Sequence, residues 1–267
     1  MESPTNPTLR LIYIAKIAAI AHSLPSRPLV RVDNTFLSPF YTSPLLLGAD
    51  LVLHSVTKYI NGHNDVVMGA LILPAHNAAL ASKLRFFRGA IGAVPSPYDC
   101  WLAQRGAKTL HLRMKAHGIN PLAVAKVLEK SPYVGNVIHP GLASHPLNGL
   151  AFSSLSPHAR KFVDSLGGSP SAGFPYGGMI SIRIRGGEGA AERFLTSTKL
   201  FTPAVSLGGV QSLAEHPSKM THGSIPEAER AALGIGSNLV RLFVGVEDID
   251  DLLADLQQAL KVAVQSY

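Results

Sequence analysis

The sequence has only one cysteine, Cys100, among its 267 residues. An internal disulfide bond is therefore impossible, and a single thiol is typical of a reducing compartment. The first residues also lack the basic start that a secretory signal carries before its apolar stretch. We therefore expect a cytoplasmic protein.

Long apolar runs are missing as well. The apolar stretch at residues 11–24 is interrupted by Lys16 and is too short to span a bilayer, so we predict no membrane segment. Of the eleven histidines, His111 and His117 lie six positions apart, which suits one helix face poorly, and we predict no metal site. The dinucleotide-binding pattern GxGxxG is absent.

Charged residues make up only 15% of the chain, and hydrophobic residues make up 46%. This balance excludes intrinsic disorder and indicates a buried α/β interior. Lys and Arg outnumber Asp and Glu by 24 to 17, but the basic residues are scattered. The excess charge of +7 therefore fits solubility and a small anionic ligand better than a nucleic acid.

Two domains are predicted, residues 1–109 and residues 110–267. In the first, short apolar runs alternate with helical patterns, which predicts parallel strands in a buried α/β sheet. The second is predicted to be a smaller α+β domain. Strands are expected at residues 29–33, 51–55, 66–74, 179–184 (half-buried) and 238–246. Helices are expected at residues 8–23, 75–88, 97–105, 108–130 (broken near Gly118–Pro121), 190–200 and 248–264, with a short one closed by Gly48.

Lys58 lies just after the strand predicted at 51–55, in the stretch VLHSVTKYINGHNDVVMG. Ligands of α/β sheets bind at the carboxyl ends of the strands, where Ser55 and Thr57 could hold a phosphate and Asp33 supplies a carboxylate. A Schiff-base lysine and a carboxylate for a pyridinium nitrogen are the minimum for pyridoxal 5′-phosphate (PLP). On spacing alone, however, such a lysine is usually a solvated turn residue, and such an aspartate is usually a turn or helix cap.

Five longer motifs cover nearly the whole chain apart from residues 147–178. They are VDNTFLSPFYTSPLLLGADLVLHSVTKYINGHNDVVMGA, GAVPSPYDCWLAQRGAKTLHLRM, VIHPGLASHP, LFTPAVSLGGVQSLAEHPSKMTHGSIPEAER and LGIGSNLVRLFVGVEDIDDLLADLQQAL. Together they resemble the Cys/Met-metabolism (transsulfuration) family of PLP-dependent enzymes. This resemblance implies a fold type I, transferase-like α/β fold: a partial PLP-binding large domain with a mostly parallel sheet, and a smaller α+β carboxy-terminal domain.

The resemblance also implies a role for individual residues around the cofactor. Lys58 matches the lysine that carries PLP, and Asp33 matches the carboxylate that keeps the pyridinium nitrogen protonated. Ser55 and Thr57 match the hydroxyls that bind the phosphate. Asn6, in ESPTNP, matches the amide near the 3′-oxygen of the cofactor.

Further matches lie around the ring and on the substrate side of the site. Thr35 corresponds to a residue near the cofactor ring, and Arg241 to the arginine that binds the substrate α-carboxylate. Ser206 and Val205 correspond to residues on the substrate side. Without the family, Arg241 would be interpreted as an exposed arginine on a strand, and Ser206 as a turn residue.

Within the family, the motifs resemble the cystathionine γ-lyases most. The implied reaction is γ-elimination of cystathionine to cysteine, 2-oxobutyrate and ammonia. Val205 departs from those enzymes, which carry Glu there, and agrees with the apolar residue of methionine γ-lyases. A methionine γ-lyase or a cystathionine γ-synthase-like activity is therefore an alternative. The resemblance also implies an amino-acid substrate and a homotetramer built as a dimer of dimers.

The family carries a long segment before ESPTNP that has no counterpart in this sequence. It holds a Gly-rich turn for the phosphate, a tyrosine stacked on the cofactor ring, and Tyr and Arg residues that reach the neighbouring subunit. We therefore expect a fragment, a misassigned gene start or a diverged half-enzyme, with weak cofactor retention and little activity alone. The alternative is a non-catalytic remnant that acts only by association with a full-length relative.

Overall fold

The computed structural model describes residues 1–265. The helices are α1 (Ile14–Ser23), α2 (Ser38–Tyr41), α3 (Ala78–Ala90), α4 (Pro97–Ala107), α5 (Leu110–Leu128), α6 (Asn148–Ser153), α7 (Pro157–Ser165), α8 (Gly187–Ser197), α9 (Glu227–Leu233) and α10 (Ile249–Gln265). The strands are β1 (Arg31–Asp33), β2 (Leu51–Ser55), β3 (Gly69–Ile72), β4 (Val134–Ile138), β5 (Met179–Ile184), β6 (Thr202–Pro203), β7 (Leu213–Glu215) and β8 (Leu239–Phe243). Short 3₁₀ turns cover Pro44–Leu47 and Ala75–Asn77.

The first sheet has three strands in the order β1-β2-β3. β1 and β2 are parallel, as predicted, and Asp33 pairs with Leu53. β3 differs from the prediction because it runs antiparallel to β2, with Ser55 opposite Gly69. A parallel return needs a crossover, usually a helix, whereas residues 56–68 form a turn around Lys58 and double back.

The second sheet has five strands in the order β4-β5-β8-β7-β6. Ile180, Ile182 and Ile184 of β5 belong to a core cluster with residues of α5, α8 and α10. On the other face of β5, the buried Ser181 hydroxyl donates to the Pro7 carbonyl. The prediction that 179–184 is half-buried is therefore wrong: residues near the amino terminus cover the face expected to meet solvent.

A second core cluster joins the start of the chain to the second sheet. Tyr41, Tyr59, Met114 and Phe243 all belong to it, and the Tyr41 hydroxyl donates to the Met114 carbonyl at 3.1 Å. The Tyr59 and Phe243 rings meet edge to face, with their centroids 5.7 Å apart. The turn that carries Lys58 is therefore packed directly against strand β8.

Helix α5 is continuous, and the break predicted near Gly118–Pro121 is wrong. A Cβ added at Gly118 would lie 1.7 Å from the Tyr41 hydroxyl, so this glycine serves a close approach between elements. Pro121 removes one helical hydrogen bond without ending the helix. The neighbouring Asn120 amide donates to the Gly245 and Glu247 carbonyls, which fixes this part of the helix against the loop between β8 and α10.

The amino-terminal segment is less helical than predicted. Helix α1 begins only at Ile14, and residue 2 instead forms a parallel bridge with Asp33 beside β1. The 3₁₀ turn before Gly48 is confirmed, because Gly48 ends it in the left-handed conformation, with φ +91°. Residues 147–178, where the motifs fade, hold α6 and α7. Among residues 1–265, no helix is both long and apolar enough to cross a membrane.

Candidate active site

Lys58 sits in a tight turn directly after β2. Its backbone N–H donates to the Ser55 carbonyl at 3.2 Å, and its carbonyl accepts from the Gly62 N–H at 2.7 Å. The side chain leaves this turn towards the second sheet, where Nζ donates to Ser206 Oγ at 2.8 Å. The structure thus brings together two predicted site residues that are far apart in sequence.

Gly208 allows the loop that carries Ser206 to lie against the lysine turn. Its φ is +86°, which side-chain-bearing residues rarely adopt, and an added Cβ would lie 2.5 Å from the Tyr59 backbone nitrogen. The same Cβ would lie 2.8 Å from Lys58 Cα. A glycine is therefore needed here for Ser206 to reach the lysine.

Arg241 lies on β8 and is almost fully buried. Its Nη1 donates to Asn6 Oδ1 at 2.8 Å, and its Nη2 donates to the Ser206 carbonyl at 3.0 Å. It also forms an ion pair with Glu215. The structure therefore corrects the family-free interpretation of Arg241 as an exposed arginine.

The protonation of the lysine is biased by its surroundings. Burial lowers the pKa of Lys58, and the Arg241 charge lowers it further, while Glu215 acts in the opposite direction. A lower pKa increases the share of the neutral amine, the form that attacks carbonyl carbons and accepts protons. Burial also lowers the pKa of Arg241, and the Glu215 charge raises it. The guanidinium nevertheless remains charged.

The predicted cofactor-side residues form a second group at the ends of β1 and β2. Asp33 Oδ1 accepts from the Thr35 N–H at 3.0 Å, and Thr35 Oγ1 accepts from the Ser55 N–H at 2.9 Å. Thr35 therefore ties the two strand ends together. Thr57 Oγ1 hydrogen-bonds to the backbone N–H and carbonyl of Met68, so its role at a phosphate stays a prediction.

Two acidic residues of the site were missed by the sequence interpretation. Glu2 Oε2 accepts from the Asn6 N–H at 3.0 Å. Burial raises the pKa of Glu2, this hydrogen bond lowers it in part, and the Asp33 charge raises it further. Glu215 is buried beside Arg241. The available signal was a lone acid in an apolar segment, SLAEHP, but its partner depends on strand register.

Val205, which was predicted to lie on the substrate side, is next to Ser206 in the chain and has 54% of its surface exposed. No group of three or more potential metal ligands occurs among the described residues.

The family comparison bears directly on this arrangement. A model described as Cys/Met metabolism PLP-dependent enzyme matches residues 1–261.

The chain belongs to this family.

Relatives and solved structures agree with this assignment and with the predicted fold class. The cystathionine gamma-lyase of Dictyostelium discoideum is 49% identical over 260 residues, covering 97% of this chain and 62% of the relative. The Saccharomyces cerevisiae enzyme of the same name is 48% identical over 267 residues, covering 98% of this chain and 63% of the relative. The chain thus spans less than two thirds of the length of these curated relatives.

Two solved structures share the fold. The crystal structure of cystathionine gamma-lyase from yeast has a TM-score of 0.89 at 46% identity, covering 98% of this chain and 63% of that one. The cystathionine gamma synthase of Xanthomonas oryzae pv. oryzae, in complex with cystathionine, has a TM-score of 0.88 at 40% identity and covers 100% and 63%. The α/β fold of a PLP-dependent enzyme is therefore confirmed.

The donor set of the site fits PLP, the cofactor of this family. Lys58 offers an amine whose pKa is lowered, and Asp33 offers a carboxylate at the end of the neighbouring strand. Asn6 uses its Oδ1 on Arg241, which leaves its amide N–H groups as donors for a cofactor oxygen. A buried Arg241 Nε with no hydrogen-bond partner among residues 1–265 is a further donor for an anionic ligand.

Proposed function

We propose that this chain derives from, and contributes the lysine side of, a PLP-dependent carbon–sulfur lyase that cleaves cystathionine to cysteine, 2-oxobutyrate and ammonia. The observation that carries the proposal is the contact between Lys58 Nζ and Ser206 Oγ, with Arg241 bound to the carbonyl of the same serine. These contacts support the proposal, because an amine that can accept a proton and a guanidinium that can bind a carboxylate both hydrogen-bond to Ser206. An α-amino acid presents its reactive α-proton beside its carboxylate.

PLP, when bound at Lys58, supplies an electron sink that stabilises the carbanion at the substrate α-carbon. Arg241 would bind the α-carboxylate, because a planar guanidinium can donate two parallel hydrogen bonds to it. Lys58, once released, would take the α-proton at Nζ, with Ser206 holding the amine in place. After giving this proton up to the cofactor, the neutral Lys58 amine would remove a β-proton. Passing that proton to the departing sulfur would let the γ-substituent leave as a thiol.

The test is Lys58→Ala in this chain, with Lys130→Ala, an exposed lysine, as the matched control. We expect Lys58→Ala to lose the visible absorbance of lysine-linked PLP and all 2-oxobutyrate formation from cystathionine. Lys130→Ala should match the parent chain in both measurements. Full turnover in Lys58→Ala, at unchanged PLP content, would contradict the proposal.

Cofactor retention by these residues alone is a separate part of the proposal. The chain spans about 62% of its relatives' length, so we expect PLP to be lost readily on gel filtration and activity to depend on added PLP. PLP content after gel filtration, with and without prior saturation, measures this. Tight retention at full occupancy would show that the described residues suffice.

The same site has two alternative reactions, the γ-elimination of methionine and the synthesis of cystathionine. The exposed, apolar Val205 beside Ser206 favours a substrate without a distal charge, such as methionine. Similarity to a cystathionine gamma synthase structure supports the synthase alternative. Comparing turnover of cystathionine, methionine and an activated homoserine ester with cysteine under equal conditions separates the three.

A second function, association with a full-length relative or another copy, is favoured by one surface. Helix α3 has no buried residue, and exposed apolar side chains continue into α4; we call Phe86, Phe87, Ile91, Tyr98 and Trp101 the α3–α4 surface. Phe86 is 71% exposed and Trp101 is 57% exposed. The Phe86 and Phe87 rings are neighbours on α3, as are the Tyr98 and Trp101 rings on α4, and exposed apolar clusters of this kind mark interaction sites.

Light scattering during size-exclusion chromatography tests this second function. We expect the parent chain to associate, alone or with a co-expressed full-length relative, and Phe86→Ser/Trp101→Ser to weaken the association. Leu166→Ser, an exposed apolar residue of another helix end, is the control. A chain that stays monomeric and unbound in both tests would exclude association.

A further inference from the structure

Glu215 and Arg241 face each other across two neighbouring strands. They occupy paired positions of antiparallel β7 and β8, and their side chains are 1% and 2% exposed. Burying both charges costs desolvation free energy that their attraction does not always recover, so such a pair is weak evidence for stability alone. The pair therefore requires another explanation.

The remaining bonds of the pair show how it is held. Thr221 Oγ1 donates to Glu215 Oε1, and His222 Nδ1 lies 2.8 Å from the same hydroxyl. On the other side, Asn6 and the Ser206 carbonyl accept from the two terminal nitrogens of Arg241. These two acceptors are uncharged, whereas Glu215 is the acid in direct ion-pair contact with the guanidinium.

One donor of the guanidinium stays free in this arrangement. Arg241 Nε is buried and has no hydrogen-bond partner within residues 1–265. Leaving a buried donor unpaired is unfavourable, because its lost hydrogen bonds to water are not replaced. That cost is removed when a ligand carboxylate accepts from it.

We propose that Glu215 is a positioning residue, which fixes the Arg241 guanidinium through the Thr221–Glu215–Arg241 contacts so that its free N–H groups receive a substrate carboxylate. The inference rests on the proposed function, in which Arg241 binds the substrate. Glu215 itself does not touch the substrate. Its effect on Lys58 is electrostatic and passes across the site.

The charges around Lys58 give this role a measurable sign. Arg241 lowers the pKa of Lys58 and Glu215 raises it. Glu215 in turn faces Arg241, Lys58 and His222, and Glu2 also acts on Arg241. Replacing Glu215 with uncharged Gln should therefore lower the pKa of Lys58. A site that opens to water should instead raise this pKa towards the ordinary lysine value.

The first experiment measures Lys58 labelling by acetic anhydride against pH, by mass spectrometry, in the cofactor-free chain. We expect Glu215→Gln to lower the labelling midpoint by about one pH unit. Glu215→Asp, which keeps the charge, should have a midpoint close to that of the parent chain. Glu229→Gln, an exposed acid on α9, should leave the midpoint unchanged. An unchanged or raised midpoint in Glu215→Gln, with an unchanged circular dichroism spectrum, would overturn the proposal.

The second experiment separates positioning from charge and does not require Glu215 itself to be changed. Thr221→Val keeps both charges but removes the hydroxyl that holds Glu215. We expect an unchanged Lys58 labelling midpoint. In the PLP-saturated chain, the ratio of kcat/KM for methionine to that for methioninamide should fall by about 10-fold. Equal preference in Thr221→Val and the parent chain would refute the positioning role.

The two hypotheses fail in different ways. If the parent chain binds no PLP and turns over no substrate, the proposed function fails, but the Lys58 labelling still tests the charge relation. If Glu215→Gln does not fold, the preference of Thr221→Val for methionine over methioninamide decides. A normal parent activity with an unmoved midpoint removes Glu215 alone from the site.

Discussion

Lys58 Nζ and Ser206 Oγ are 2.8 Å apart, although 148 positions separate the two residues in the chain. The lysine comes from the turn after β2 and the serine from the loop before β7, so their meeting depends on the packing of the two sheets. Changes far from either side chain can therefore alter the site by moving one sheet against the other.

Arg241→Lys should weaken substrate binding while leaving the lysine turn in place. An ammonium keeps the charge but cannot present the planar pair of donors that a carboxylate accepts. Loss of one charged hydrogen bond, about 1.5–3 kcal/mol, predicts kcat/KM for cystathionine roughly 10–100-fold lower at saturating PLP. Arg185→Lys, an exposed arginine, is the control; equal kcat/KM for both variants would remove Arg241 from the substrate site.

Gly208→Ala should separate Ser206 from Lys58 and destabilise the fold. The left-handed backbone costs about 1–2 kcal/mol for a residue with a Cβ, and overpacking against the Lys58 backbone costs about 1–3 kcal/mol more. We expect the free energy of unfolding in urea to fall by roughly 2–5 kcal/mol. Gly149→Ala is the control, since it meets no atom within 4 Å and lies in helix α6. A loss below that of Gly149→Ala would contradict the close approach.

Val205→Glu should shift substrate preference towards cystathionine. A carboxylate beside Ser206 would attract the distal ammonium of cystathionine, which methionine lacks. Because Val205 is half exposed, solvent screens the attraction to at most about 1 kcal/mol, or about fivefold in the cystathionine-to-methionine ratio of kcat/KM. The gain should shrink at high salt. An increase of the same size in Leu46→Glu, on the exposed surface elsewhere, would show that the effect is not local.

Two buried histidines predict a loss of stability in acid. Burial lowers the pKa of His139 to about 3 and, with neighbouring charges, that of His117 to about 4. In the unfolded chain both titrate near 6.5, so below that pH the unfolded state binds protons that the folded state does not. Stability therefore falls from about pH 6.5 downwards, by about 2 kcal/mol for each histidine at pH 5.

Urea unfolding of His139→Asn at pH 7.5 and pH 5 measures this contribution. The asparagine oxygen can keep the acceptor that His139 Nδ1 offers to the Gly141 N–H, but it does not titrate. We expect His139→Asn to lose about 2 kcal/mol less than the parent chain between the two pH values. The exposed His158→Asn is the control, and parallel behaviour of the two variants would contradict the assignment.

The sequence predicted the elements that carry the site better than it predicted their pairing. The lysine turn and strands β2 and β8 follow from local apolar patterns. The direction of β3 depended on whether residues 56–68 form a crossover or a turn, which apolar runs do not encode. The prediction of a break in α5 was wrong because Gly118 is there for its close contact with Tyr41 and does not end the helix.

The candidate site shows the same limit. Arg241, Ser206 and Asn6 were proposed as site residues only through long motifs, since each alone resembles an ordinary surface or turn residue. Glu215 was missed because its significance depends on lying opposite Arg241 across β7 and β8. Register between strands that are distant in sequence is a tertiary property, and a three-residue strand such as β7 carries little local signal.

Under the proposed function, the packing of Tyr59 has a consequence for how substrates are selected. Its ring contacts Phe243, two residues from Arg241, and its hydroxyl accepts from the Gly178 N–H at 3.1 Å. Tyr59 also follows Lys58 directly in the chain, so the lysine turn and the arginine strand are joined by one buried aromatic side chain. We expect the spacing between the proton-accepting and carboxylate-binding groups to stay constant from one substrate to another. Substrates would then be distinguished at the far end of their side chains, near Val205, and not by closure of the site around them.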